Sequence, residues 1–243
     1  MGNIFLVPKY RKEKIKKLIS ISSLSNLVKN PINWIKTNYF NLKLLFLKDI
    51  SYIFIKPCLK WIDYNIKGFL HFNQAIHLYN IAKHLKNNST IVEIGAFLGR
   101  STCFLAEAVK KNQIKLYSID TFENQGMSEG LRYTFNEYYR NIFPYKSYIK
   151  IIKGFSYEVV DKFENIKIDL LWLDADHSYE STIQDIQNWL PLVKKNGYFI
   201  FHDYYMKKRT SGVKKAVDEV IRMKKLKIIE LVGHLCVTKK ISD

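Results

Sequence analysis

Between Thr90 and Thr102 the chain reads Thr-Ile-Val-Glu-Ile-Gly-Ala-Phe-Leu-Gly-Arg-Ser-Thr. A short run rich in β-branched residues meets two glycines, and a helical spacing begins after the second. The pattern predicts a strand, a tight turn and a helix N-terminus, a geometry that cradles anionic or dipolar ligands. Gly95 and Gly99 would let backbone and ligand approach closely. Amides at Arg100, Ser101 and Thr102 would point into the turn. A second strand, predicted over 114–120, ends in Asp120, whose carboxylate suits ribose hydroxyls.

From residue 90 onward, strand and helix patterns alternate. Strands are predicted over 90–95, 114–120, 148–153, 167–174 and 197–203. Helices are predicted over 100–111, 156–164, 179–194 and 211–223, with a further helix over 73–86 carrying Ala75, Leu78, Ala82 and Leu85 as its stripe. Residues 225–232 and 235–238 read as two more strands around Gly233-His234. The expected fold is α/β, a Rossmann-like, mostly parallel sheet of about seven strands with helices on both faces. Right-handed crossovers would bring Gly95, Asp120, Gly154, Asp174 and Asp203 to one sheet edge. Ligands bind outside that edge in open α/β sheets.

Glu93-x-Gly95 with Asp120 resembles the nucleoside-binding half of the class I S-adenosylmethionine-dependent methyltransferases. Leu173-Asp-Ala-Asp-His-Ser-Tyr-Glu180, then Asp185, then Gly197-Tyr-Phe-Ile-Phe-His-Asp-Tyr204 resembles one branch, the macrocin O-methyltransferase and cephalosporin-hydroxylase-like proteins. The resemblance covers about residues 73–238. It implies a closing antiparallel hairpin and S-adenosylmethionine as cofactor. The implied cofactor contacts are Glu93, Gly95, Ala96, Gly99, Arg100, Ser101, Asp120, Thr121, Gly154, Phe155, Ser156 and Asp174. Glu93 has a second reading, holding turn amides. Gly154-Phe155-Ser156 would lie beside the adenine.

Methyl transfer from a sulfonium is an in-line displacement, so the protein must align the nucleophile and take its proton. Asp174, Asp176, His177, His202 and Asp203 are the candidates for that work. Asp174 and Asp203 could share a divalent metal such as magnesium, as in several relatives. Those relatives that act on catechols have an amide ligand where this chain has Tyr204. Without a metal, His177 or His202 could act as general base, since imidazole titrates near neutrality. Asp185 would orient a neighbouring group or face solvent. The aromatic stretch 121–147 reads as an acceptor-side wall, or as a helix over 131–142 that packs its rings on the body.

The net charge of +17 is uneven: residues 1–70 hold 13 Lys and Arg against 3 Asp and Glu. Residues 1–72 read as a basic, mainly helical extension, with Pro57 a break and Gly68 a stop. Residues 73–243 form the catalytic domain. The arm suits an anionic membrane surface or nucleic acid, and the membrane surface is the expected partner. Three scattered cysteines, Cys58, Cys103 and Cys236, offer no metal spacing and suit a reducing cytoplasm. The expected location is cytoplasmic, with peripheral contact at the inner membrane face.

The reading is O-methylation of a hydroxyl on a sugar, glycan precursor or small metabolite. Two alternatives stand beside it. One is RNA methylation, suggested by charge alone, with no separate RNA-binding module in the sequence. The other is a non-catalytic cofactor-binding scaffold that uses the basic arm.

Overall fold

The first strand, β1 (Thr90–Ile94), is buried along its whole length and lies between β2 (Lys115–Asp120) and β4 (Ile168–Leu173), parallel to both. A computed structural model describes residues 55–123, 132–205 and 211–241. The remaining strands are β3 (Ile149–Lys153), β5 (Val193–Phe201), β6 (Leu226–Val232) and β7 (Leu235–Lys240). They form one sheet of order β3-β2-β1-β4-β5-β7-β6, in which β7 runs antiparallel to both β5 and β6. This is the Rossmann-like sheet with its closing hairpin. The order reverses between β1 and β4, which opens a crevice at their C-terminal ends.

Alternation along β1 decides what faces each layer. Val92 and Ile94 join Leu171, Leu173, Phe199 and Phe201 in a core with Trp189 and Val217. Those last two come from α6 (Tyr179–Trp189) and α7 (Ser211–Arg222). Glu93 points the other way, to Thr102 of α3 (Arg100–Val109). Every residue of α3 is buried, because α1 (Pro57–Asn65) and α2 (Phe72–Lys83) cover it. Burying side chains of this size contributes about 1.5–3 kcal/mol each.

Several local expectations shift. Pro57 is the first residue of α1, as a break at that position requires, since its missing N–H costs nothing in a first turn. Leu59 and Ile62 of α1 are buried, and Lys56–Asp243 forms one compact unit, so residues 56–72 pack with the domain. The helix expected over 179–194 stops at Trp189, and Leu190–Leu192 make a 3-10 turn around Pro191. Strand β5 therefore begins at Val193, not 197. In the 121–147 stretch, α4 (Phe135–Ile142) buries Tyr138 and Ile142. A Cβ at Gly99 would meet both side chains within 3.1 Å, so the helix seats on the turn after β1. A short helix, α5 (Ser156–Val159), follows β3. The arm preceding residue 55 lies outside the described residues. No helix among the described residues is long and apolar enough to cross a membrane.

Candidate active site

The turn after β1 owes its shape to three residues with positive φ: Gly95 at 87°, Phe97 at 48° and Gly99 at 86°. A bulky residue at positive φ is strained, and such strain persists where the surroundings impose it. Asp120 imposes it here. Its Oδ2 accepts the amides of Ala96 at 2.7 Å and Phe97 at 2.8 Å, and its Oδ1 accepts the amide of Phe122 at 2.6 Å. A carboxylate offers about four acceptor positions, so Asp120 keeps capacity for a ligand hydroxyl.

Asp120 also lines a cavity of about 700 Å³ at the C-terminal ends of the strands. Gly95, Thr121, Gly154, Phe155 and Ser156 line it as well. So do Asp174, Asp176 and His177. Residues from four strand ends thus meet in one space. Phe97 and Thr134 also face it, and neither was singled out from sequence. A bulky residue between the two turn glycines was the available signal for Phe97.

Other expected cofactor residues take different places. Glu93 is fully buried beneath the turn and does not line the cavity. It accepts hydroxyls from Thr102 at 2.5 Å and Ser118 at 2.8 Å. Burial pushes its carboxyl up to about 7, against the lowering effect of the Ser101, Thr102 and Ser118 hydroxyls. Ala96, Gly99, Arg100 and Ser101 shape the turn without lining the cavity. The Arg100 guanidinium points away, to the carbonyls of Asp63, Ile66 and Leu70. Asp185 does not face solvent. It is buried, accepts the Ser156 hydroxyl, and is pushed up to about 6 by that burial.

Around Asp174 four titratable groups converge. His202 Nδ1 lies 3.1 Å from Asp174 Oδ1 and 3.1 Å from Asp203 Oδ2. His177 Nε2 lies 3.2 Å from Asp203 Oδ2 and 3.7 Å from Asp174 Oδ1. Asp203 holds its place at a φ of 55°, a third strained non-glycine residue near the site after Phe97 and Phe122. Burial opposes ionisation of Asp174, but His202 and His177 outweigh it and hold the carboxyl well below its usual range. Burial favours neutral imidazoles, yet the two carboxylates win at both rings. They push His202 up to about 10 and raise His177 as well. His202 is buried, whereas His177 borders the cavity, so only His177 can meet a ligand there.

One ligand atom each from Asp174, His177 and Asp203 falls within 4.8 Å of the others, a spacing that fits a cation. Imidazole among the donors suits manganese or zinc better than magnesium, which prefers an all-oxygen shell. Tyr204 adds no ligand. It is buried, and its hydroxyl pairs with Asp218.

Comparison with known proteins agrees with this geometry. Residues 92–204 match the family model described as a methyltransferase domain. The uncharacterized protein R132 of Acanthamoeba polyphaga mimivirus is 32% identical over 171 residues, covering 67% of this chain and 73% of the relative. Among solved structures, the O-methyltransferase TomG of Streptomyces achromogenes, in complex with SAM, superposes with a TM-score of 0.60 at 14% identity. That match covers 79% of this chain and 94% of TomG. An O-methyltransferase of Bacillus cereus in complex with SAH gives 0.59 at 14% identity, over 79% of this chain and 96% of that one. At these identities the superpositions speak to fold. Together with the family match and the site at the β1/β4 crevice, they place the chain among the class I S-adenosylmethionine-dependent methyltransferases.

Proposed function

We propose that this methyltransferase acts on oxygen, methylating a hydroxyl of a sugar, a glycan precursor or a related small metabolite. The observation that carries the reading is the continuity of the cavity. The same cavity is lined by Gly95, Asp120 and Gly154 and by Asp174 and His177. The cofactor supplies the electrophilic methyl group when bound. Asp120 fixes the turn and has acceptor capacity left for ribose hydroxyls. Gly154, Phe155 and Ser156 form the base-side wall, and Asp185 orients the Ser156 hydroxyl.

His177 takes the acceptor's hydroxyl proton as that oxygen attacks the methyl carbon. Asp203 and Asp174 orient its ring and stabilise the imidazolium that forms. His202, buried between the same two carboxylates, holds them apart and in place. Asp174, His177 and Asp203 also fit a divalent cation, which would acidify an acceptor hydroxyl. The polar lining here, with Asp176 and Ser178 beside His177, suits a hydroxyl-rich acceptor. The basic arm, through the charge of residues 1–70, is proposed as a peripheral contact with anionic lipid on the cytoplasmic face.

Calorimetry with S-adenosylmethionine tests the core of the reading. Micromolar binding is expected, and Asp120→Ala should weaken it by about 1–3 kcal/mol, the usual cost of a lost buried partner. Failure to bind, or tighter binding of a nicotinamide dinucleotide, would reject it.

A further inference from the structure

Residues 66–71 connect α1 to α2, and Arg100 grips that connector from the first position of α3. Its Nε donates to Leu70 O at 2.8 Å. Its Nη1 donates to Asp63 O at 2.8 Å and to Ile66 O at 2.9 Å, while Nη2 pairs with the Asp63 carboxylate. The guanidinium is buried, and its planar fork of donors spans carbonyls that a lysine could not bridge together. Gly68 belongs to the same device. A Cβ there would lie 2.9 Å from Arg100 Cδ, so the connector can pass this close only as glycine.

What the grip positions is Phe69. Its ring stacks on Phe97 with centroids 6.0 Å apart and planes 27° apart, although Phe69 itself is 56% exposed. Phe97 lines the cavity, sits in the strained turn and gives its amide to Asp120. A guanidinium could hold the connector anywhere along α3. From the residue next to Gly99, it holds the connector onto the ligand turn.

We infer that the connector backs the wall that Phe97 gives the cofactor cavity, and that Arg100 is its positioning residue, acting through the Phe69–Phe97 ring pair. The inference rests on the reading of the cavity as an S-adenosylmethionine site. It assigns to residues before the first strand a part in cofactor binding, and it turns Arg100 from a ligand contact into a tether.

The test is calorimetry of S-adenosylhomocysteine binding to the full chain and to Phe69→Ala, Phe69→Tyr, Arg100→Lys and the double variant Phe69→Ala/Arg100→Lys. Phe69→Ala should weaken binding by about tenfold, the scale of a lost aromatic pair. Its melting temperature should barely change, because the side chain is largely exposed. Phe69→Tyr, which keeps the ring, should restore binding. Arg100→Lys should weaken binding, and the double variant should bind no worse than the weaker single variant, since both act through one contact. Unchanged binding by Phe69→Ala, or additive losses in the double variant, overturns the inference. Because Phe69→Ala removes no buried group, it decides the matter even if Arg100→Lys fails to fold. If the unaltered chain does not bind S-adenosylhomocysteine, the cofactor reading falls and this inference with it. If it binds and all variants bind equally, this inference alone falls.

Discussion

A Cβ placed on Gly95 would lie 2.0 Å from the carbonyl oxygen of Asp174. The two residues directly follow β1 and β4, the strands between which the sheet order reverses, and the Asp174 amide donates to Ile94 O at 2.9 Å. The glycine therefore sets how closely the turn after β1 approaches Asp174 and its cluster of titratable groups. Gly95→Ala should suffer twice. Left-handed backbone costs a residue with a side chain about 1–2 kcal/mol, and crowding against rigid backbone costs about 1–3 kcal/mol more. Gly154→Ala carries a backbone cost too, at a φ of 146°, but its new Cβ would first meet the Val159 side chain at 3.0 Å rather than backbone, so its crowding should cost less. Urea denaturation of both variants checks this, and an equal or smaller loss for Gly95→Ala would show that the turn gives way easily.

Glu93 makes stability depend on pH. Its folded value of about 7 lies above the ordinary 4.5, so the folded chain keeps a proton that the unfolded chain releases. Below pH 4.5 both states are protonated and the carboxyl costs nothing. As pH rises to 7 the unfolded state gains, and stability should fall by about 3 kcal/mol before levelling off. Glu93→Gln keeps an acceptor for Thr102 and Ser118 but cannot titrate. The difference in unfolding free energy between variant and wild type should therefore grow in favour of the variant from pH 4.5 to 7. A difference independent of pH would mean that Glu93 is ionised throughout.

The basic arm, with 13 Lys and Arg against 3 Asp and Glu in residues 1–70, should bind anionic vesicles. Exposed charges are screened over about 8–10 Å at moderate ionic strength, so binding to anionic vesicles should weaken as salt rises. Deleting residues 1–29 should abolish that binding and leave cofactor affinity intact. Sedimentation of the truncated chain with vesicles would exclude the arm as the anchor.

The positions of the first four strands were legible because each leads into a residue with a special task. Gly95, Asp120, Gly154 and Asp174 mark their strand ends in the sequence as clearly as in the sheet. Boundaries were less legible where an apolar spacing outlasts its helix, as at Leu190 and Val193, which Pro191 diverts into a turn. The direction in which a side chain leaves the turn was not legible. Arg100 looks like a ligand contact from its position, but its long stem lets the charge reach carbonyls at 63, 66 and 70. The burial of Asp185 was hidden for a similar reason, since its partner Ser156 is far away in sequence and meets it only through the packing of α5 on α6.

The cluster at Asp174, His177, His202 and Asp203 decides between two ways of activating the acceptor, and pH separates them. A base must be neutral to act. Burial favours the neutral His177 ring, but the carboxylates of Asp174 and Asp203 outweigh it and raise its pKa above 6.5. With His177 as base, activity should rise with pH through a limb lying above 6.5. Asp203→Asn removes one of the charges that raise it, so the limb should move to lower pH. His177→Ala should cost on the order of 10²–10⁴-fold in rate, the usual range for a general base, while chelators change little and cofactor affinity is preserved. A panel of nucleotide sugars and phenols must first supply an acceptor. If chelation abolishes turnover, added manganese or zinc restores it, and Asp174→Asn costs far more than His177→Ala, the metal mechanism replaces the imidazole one. Full activity in a double variant lacking both Asp174 and His177 would remove the active site from this cluster altogether.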